Sequence, residues 1–454
     1  MWVFTIEAIV NNSIFFYALL LILICLGYVL ISSIELGRYM RRNNYASYRE
    51  LLISRHAPCV SVISPVANIQ DDVVDHVRAL LALQYNNFDI IVVNDGSTDN
   101  TLQNLRDFYQ LEAVDFVSYE QIKTQPVQAY YKSRNLAFSK LTVIDKARGG
   151  EPDSLNAGLN ASQSDLVLCI ETHCVLDKNS LLKLVKPFLE EKTRVIAVGA
   201  AVHVANSGGR HKGHLLSTSF PKKLLPAFQA IEYFKSYLLE RLTWSRLNGI
   251  HPISGAVGLF DKEILTECGG YSTKTSKEGF ELMVRMSKYM HDNNLKYRTV
   301  YIPDPLCWIQ APARFSALSK QKNAWARGNF QTFWLHRDLF FNRKYGSLGL
   351  INFPFLFFLE GIIPLMKLLG VLVISGLVFT GQVNREYLGL LLAMIYLFAV
   401  FLSAVSVLFE ERSYRPYSSL RDISKILVLI FIAPLIYHPL TVYWKIAALV
   451  RLRQ

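Results

Sequence analysis

Apolar residues along this chain fall into three regimes, and each predicts a different kind of structure. Ile14 to Ile34 is an uncharged apolar run, about the ~20 residues a helix needs to cross a bilayer. From Cys59 the runs become short and alternate with amphipathic stretches. Val60 to Ser64 predicts a first strand, Asp72 to Leu83 a helix, and Phe88 to Val93 a second strand closed by Asn94-Asp95-Gly96-Ser97. Strand, helix, strand with turn residues at the C-terminal tips predicts an α/β domain, a parallel sheet covered by helices. Leu141 to Asp145, Leu166 to Ile170 and Val195 to Val204 continue the strand pattern.

Beyond Pro312 the pattern changes again. Phe315, Leu318, Trp325, Phe330, Phe333 and Trp334 are interleaved with Arg314, Lys320, Lys322 and Arg327, a mixture that suits a helix lying in the membrane interface. A surface helix packed on its own domain gives the same pattern. Long apolar runs follow: Phe353 to Thr380, broken by Glu360 and Lys367, then Tyr387 to Phe409, then Ile426 to Val442. The last contains Pro434 and Pro439, so crossing the bilayer and dipping into one leaflet both stay open. The expected organisation is an N-terminal anchor (residues 1–45), an α/β domain (46–310), interface helices (311–345) and a C-terminal membrane region (346–454).

Charge and composition sharpen this picture. The net charge is +12 and 51% of residues are hydrophobic. Arg38, Arg41 and Arg42 follow the first apolar run and Arg412, Arg415, Arg421 and Lys425 lie between the last two, which predicts a plasma-membrane, multi-pass protein with its α/β domain in the cytoplasm, in contact with the lipid bilayer. No basic region precedes the first run and no small-residue cleavage site ends it, so a retained anchor is expected rather than a signal peptide. The basic residues are not interleaved with aromatics in a nucleic-acid-binding stripe, so no nucleic acid is expected as a partner. Six cysteines without CxxC or framework spacing predict reduced thiols. His211 and His214 have no carboxylate beside them in sequence, and a solvated loop explains them better than a metal pair.

The candidate chemistry lies at strand ends, where open α/β sheets bind ligands. Asp95 on a strand tip, followed by Gly96 and Ser97, suits hydrogen bonding to a base or ribose, or equally a capped turn into the next helix. Gly149 to Asp177 opens with a helix start, Asp153-Ser154-Leu155-Asn156-Ala157-Gly158, and continues through a strand to Glu171-Thr172-His173.

These segments, in this order, resemble membrane-bound family 2 glycosyltransferases of the cellulose, hyaluronan and poly-N-acetylglucosamine synthase type. Val60-Ser61-Val62-Ile63-Ser64-Pro65 is similar to the family's opening strand and Val92 to Asp99 to its nucleotide-binding tip. Gly149 to Gly158 is similar to its Gly-Lys-x-x-Ala-Leu-Asn-x-Gly stretch, and Gln229 to Arg241 to its amphipathic segment. Ile253 to Phe260 is similar to its acceptor-side Ser-Gly-Ala segment, and Gln321-Lys322-Asn323-Ala324-Trp325 to Gln-x-x-Arg-Trp. The resemblance implies a GT-A fold, Rossmann-like with a mostly parallel sheet. It implies a nucleotide-sugar donor such as a UDP-sugar, Mg²⁺ or Mn²⁺ on an Asp-x-Asp motif, and a carboxylate base in a Glu-Asp pair. Asp95, Gly96, Ser97, Asp153, Asn156, Gln321 and Trp325 would then bind the nucleotide, and Ser254 and Gly255 would face the acceptor.

The chain departs from the family at its reactive positions. Glu171 and His173 stand at the Asp-x-Asp, and Gly279 stands where the base is expected, between Glu278 and Glu281 as substitutes. Ala324 replaces the arginine and Glu151 the lysine. Losing a general base costs about 10²–10⁴ in rate, and each lost electrostatic contact about 3–4 kcal/mol. The expectation is therefore a glycosyltransferase-like protein of cell-surface glycan assembly that is catalytically impaired and acts as partner or scaffold of an active paralogue or synthase complex. The alternative is an active inverting transferase with a rebuilt site.

Overall fold

The protein is described by a computed structural model covering residues 2–43, 57–207, 210–211, 214–215, 219–250, 253, 256–381, 384–414, 417 and 419–450. Its strands are β1 (Val60–Val66), β2 (Phe88–Asp95), β3 (Leu111–Val114), β4 (Val127–Ser133), β5 (Leu141–Lys146), β6 (Leu166–Cys169), β7 (Val175–Leu176), β8 (Val195–Val204), β9 (Arg210–His211), β10 (His214–Leu215), β11 (Gly258–Asp261) and β12 (Arg298–Ile309). Ten of them form one sheet in the order β3-β4-β5-β2-β1-β6-β11-β8-β12-β7. β9 and β10 pair separately, with His211 opposite His214.

The centre of the sheet is built as its sequence predicts. All seven residues of β1 are buried, as a strand covered on both faces requires. It runs parallel to β2 and β6, with Val62 beside Ile90 and Leu168. β5 adds in parallel beyond β2, and β8 runs parallel to β12. The antiparallel pairs are β3 on β4, β4 on β5, β11 on both β6 and β8, and β7 on β12. The sheet is thus mixed: two parallel groups, β5-β2-β1-β6 and β8-β12, are joined by the antiparallel β11. Only the direct β3–β4 and β4–β5 connections are of the kind that gives antiparallel neighbours, whereas parallel neighbours need a crossover.

Helices cover both faces and extend into the apolar region. α1 (Trp2–Asn43) is one continuous helix. α2 (Val73–Leu81) follows β1, and α3 (Glu151–Ala161) enters β6. α4 (Leu224–Lys235) continues through a π-helical turn, Ser236–Arg241. α5 (Glu278–Asp292) and α6 (Phe315–Leu335) pack against each other. Among the described residues, four helical stretches are long and apolar enough to cross a membrane: Asn12–Asn43, Leu348–Phe379, Arg385–Ser413 and Leu420–Ala448. The last runs without a break through Pro434 and Pro439, as helices in apolar surroundings tolerate.

Of the two charges that break the Phe353 to Thr380 run, Glu360 and Lys367, the first pairs outside that run. Glu360 lies 2.9 Å from Lys445 and accepts a hydrogen bond from Asn329. Glu360 thus ties two of the apolar helices together by an ion pair and reaches α6 through Asn329.

Candidate active site

The ends of β2 and β5 lie side by side, with Asp95 in register with Lys146. Lys146 is fully buried, and its ammonium sits 2.9 Å from Asp95 and 2.6 Å from Asp153. Asp95 also accepts hydrogen bonds from the amides of Gly149 and Gly150, each at 2.8 Å. Burial opposes ionisation of Asp95, but Lys146 and those amides outweigh it and hold its carboxyl below the usual range. Asp153 in turn accepts from the Gln125 amide. Both carboxylates expected at the nucleotide thus hold the glycine turn that starts α3.

Gly96 and Ser97 shape the neighbouring turn. Gly96 has φ +57°, and a Cβ there would lie 2.9 Å from the Arg148 amide nitrogen, so only glycine lets the two loops approach. Ser97 accepts from the Asn68 amide and donates to Asn94. Asn156 is buried and both ends of its amide are engaged by the backbone of Tyr271, at 2.9 and 2.7 Å.

A small cleft opens beyond α3, with Glu151, Cys169, Tyr271, Glu278 and Gly279 on its walls. Glu151 stands at the first position of α3 and Glu278 at the first of α5, so two helix N-termini bring carboxylates toward each other. Enclosure of the Glu151 carboxyl, then the charges of Glu171 and Glu278, push it up to about 8, with His173 opposing. Glu278 is also raised, by burial first and Glu171 next. Glu151, Glu171 and Glu278 thus bear on one another at this cleft.

Glu171, His173 and Cys174 each offer one ligand atom, all within 4.8 Å of one another, and Glu171 Oε2 is 2.9 Å from His173 Nε2. A carboxylate with an imidazole fits Mn²⁺. The buried thiol beside them fits a softer ion still, and the set does not fit Mg²⁺, which prefers oxygen ligands in octahedral array.

The two substitutes for the base have different surroundings. Glu281 is 1% exposed, receives two hydrogen bonds of 2.9 Å from Arg285, and lies 2.9 Å from His336 Nε2. Burial opposes its charge, yet His336 and Arg285 outweigh that and take its pKa down to about 2. Glu281 is a clamp between α5 and the end of α6. Glu278, half-buried at the cleft, is the carboxylate with access.

Trp325 lies on α6 with the Lys322 and Lys277 ammonium groups 4.8 and 6.0 Å from its ring centre. Gln321 is on the same helix and its buried Oε1 has no hydrogen-bond partner among the described residues. Ser254 and Gly255 lie outside the described residues.

Sequence reading passes over Lys146, Lys277, Arg285 and His336. Arg285 has a signal, four residues after Glu281 on one helix. His336, 55 residues from Glu281, has none.

Two family models match the chain: glycosyl transferase family 2 over residues 61–243 and glycosyl transferase family group 2 over residues 167–445. Among curated proteins, it is similar to the poly-β-1,6-N-acetyl-D-glucosamine synthase of Staphylococcus epidermidis, 24% identical over 291 residues, covering 64% of this chain and 59% of that one. The Staphylococcus aureus synthase is 24% identical over 277 residues, 61% of this chain and 55% of that one. The match thus spans little more than half the length of these relatives. Among solved structures, a mannosyltransferase from Pyrobaculum calidifontis in complex with GDP-Man and Mn²⁺ overlays with TM-score 0.49 at 15% identity, covering 94% of this chain and 98% of that one. Glucosyl-3-phosphoglycerate synthase from Mycobacterium tuberculosis gives TM-score 0.38 at 14% identity over 64% of this chain and 84% of that one.

Proposed function

Because the chain belongs to the family 2 glycosyltransferases, related to polysaccharide synthases, we propose that it is a membrane-embedded member with an impaired donor site, serving an active synthase of cell-surface glycan as a non-catalytic partner. The observation that carries this reading is the charge of the cleft. Burial first, then the charges of Glu171 and Glu278, push Glu151 up to about 8, so the cleft presents carboxyl groups where the family sets a cation against the diphosphate. The lysine and arginine that the family sets against phosphate are Glu151 and Ala324 here. Glu281 is committed to Arg285 and His336, and residue 279 has no side chain to act as base. The fold, the membrane helices and the cleft walls are kept; the groups that drive transfer are not.

One observation favours a second reading, an active inverting transferase with a rebuilt site. Glu278 is raised by burial first and Glu171 next, the direction that makes a carboxylate a stronger base. In that reading Glu171 and His173 would hold Mn²⁺, which would neutralise the leaving diphosphate, while Glu278 would deprotonate the acceptor hydroxyl.

Turnover separates the two. Membranes holding this chain alone, offered UDP- and GDP-sugars with Mn²⁺ and glycan acceptors, are expected to transfer no sugar. The triple variant H173D, G279D and A324R, which returns the family's groups, is expected to gain transfer. Turnover by the unmodified chain at an ordinary enzymatic rate, roughly 1–10³ s⁻¹, with loss in the triple variant, establishes the second reading instead.

A further inference from the structure

Several apolar residues of α6 are turned inward: Leu318 and Phe333 are buried, and Trp325 and Phe330 pack against the protein core. The apolar surface left outside lies at the end of the helix and just beyond it. Trp334 is 73% exposed and Phe341 72%, and Leu335, Leu350 and Ile351 are exposed as well. Phe341 also has a backbone that bulky residues rarely adopt, with φ +54°. The other non-glycine residues with positive φ, among those described, are three asparagines and a glutamine.

That conformation is held from several sides. Phe340 packs on Phe353 and Phe357, with ring centres 4.8 and 5.2 Å apart. The ion pairs Lys288–Asp338 and Lys344–Asp292, and the contact of His336 with Glu281 at 2.9 Å, clamp the segment to α5. The Phe341 amide donates to the Gly349 carbonyl at 3.1 Å. Gly349 belongs to the first turn of Leu348–Phe379, one of the stretches apolar enough to cross a membrane. A helix of its 32 residues is about 48 Å long, no shorter than a bilayer with both headgroup layers, about 40–45 Å. Crossing leaves the first turn at headgroup level, and the hydrogen bond sets Phe341 there too.

Water gives this geometry nothing to offset it: an exposed ring gains no burial, and positive φ on a phenylalanine is strained. The boundary between headgroups and acyl chains does offset it. Aromatic rings bury there while guanidinium groups stay among the headgroups. The Arg337 guanidinium lies 5.0 Å from the Trp334 ring centre, and Arg343 is exposed two residues after Phe341. We propose that Trp334, Phe341 and the exposed start of the Leu348–Phe379 helix form a rigid anchor that inserts into the headgroup–acyl boundary of the bilayer, with Arg337 and Arg343 at its rim. Through the clamp on α5, the anchor fixes the height above the membrane of Glu278, at that helix's first position. The anchor requires that the chain be membrane-embedded, as proposed above, and is indifferent to whether it transfers sugar.

The test uses the full chain, alone, in nanodiscs of phosphatidylcholine and phosphatidylglycerol. Under a pulse of hydroxyl radicals, Trp334 and Phe341 of the unmodified chain are expected to be oxidised at least ~5-fold more slowly than Tyr119, which is 69% exposed on the α/β domain. Photocrosslinking identifies what covers them. Chains carrying p-benzoylphenylalanine in place of Phe341 are expected to yield lipid adducts, as are chains carrying it in place of Leu372, exposed within the same apolar helix. Oxidation of Trp334 and Phe341 at the Tyr119 rate overturns the anchor, and so does crosslinking from position 341 to a second copy of the chain instead of lipid. Lipid adducts at position 372 without any at 341 overturn the anchor alone; adducts at neither overturn the membrane-embedded reading with it.

Discussion

Lys146 lies in register with Asp95 on the adjacent strand and reaches past it to Asp153 at the start of α3. One fully buried ammonium therefore ties two strands and a helix together, and the glycine turn that carries Glu151 hangs from the same carboxylate. Lys146→Met removes the cation and leaves two carboxylates 7% and 10% exposed without it. Breaking a buried pair by deleting one member costs about 3–5 kcal/mol. Thermal unfolding in detergent is expected to show a loss of that order, and the double variant Lys146→Met, Asp95→Asn is expected to regain part of it. A Lys146→Met chain as stable as the parent contradicts the assignment.

Glu281 supplies a second prediction, on the acid side. Its folded pKa is depressed to about 2 from the ordinary glutamate value of 4.5. A depressed carboxyl contributes stability that is complete above its unfolded pKa and is lost as pH falls through the folded value. The contribution is about 3 kcal/mol from a shift of this size, lost between roughly pH 4.5 and 2. Unfolding measured across that window is expected to weaken steeply in the parent and less so in Glu281→Gln, whose glutamine keeps the shape and lacks the charge. Equal slopes in the two chains rule out this role for the clamp.

The contact between Gly328 and Lys277 is the third. A Cβ at residue 328 would meet the Lys277 Cβ at 2.5 Å and its nitrogen at 2.8 Å. The backbone atom cannot swing aside, so Gly328→Val forces α6 away from the segment leading to Glu278. Overpacking of this kind costs about 1–3 kcal/mol. Thermal unfolding should register that loss, and proteolysis between residues 272 and 277 is expected to accelerate. A variant with parental stability and cleavage pattern shows that α6 and the loop are not in contact.

The parts of this fold that were legible share one property: their pattern is set by burial. β1, β2, β5 and β6 are short apolar runs ending in turn residues, and the membrane helices are long apolar runs, so periodicity and length announce them. β12 was not legible because Pro303 and Pro305 interrupt it; the structure absorbs them as register shifts around Ile302 and Pro305. β3 and β4 were missed because three of four β3 residues are exposed and β4 alternates weakly. At the candidate site, the altered motif positions were legible from residue identity, whereas the partners were not. Lys146 reads as a polar strand end until β5 is placed beside β2. The pairing of Glu281 with His336, and of Glu360 with Lys445, needs the tertiary fold.

Glu151 gives the last prediction, and it bears on the proposed loss of function. Its carboxyl is pushed up to about 8 by enclosure, Glu171 and Glu278, with His173 opposing. A raised carboxyl acts in the opposite sense to Glu281: the folded chain prefers it protonated, so folding weakens as pH climbs from the unfolded value near 4.5 toward 8. Glu151→Gln holds the group neutral at every pH. It is expected to match the parent at pH 5, to exceed it in unfolding temperature at pH 8, and to flatten the decline between. Glu151→Lys, which returns the family's charge, is expected to stabilise further at pH 8 because it answers Glu171 and Glu278 directly. If both variants show the parent's pH dependence, Glu151 does not face those carboxylates, and the charge inversion on which the impaired-site reading rests is removed.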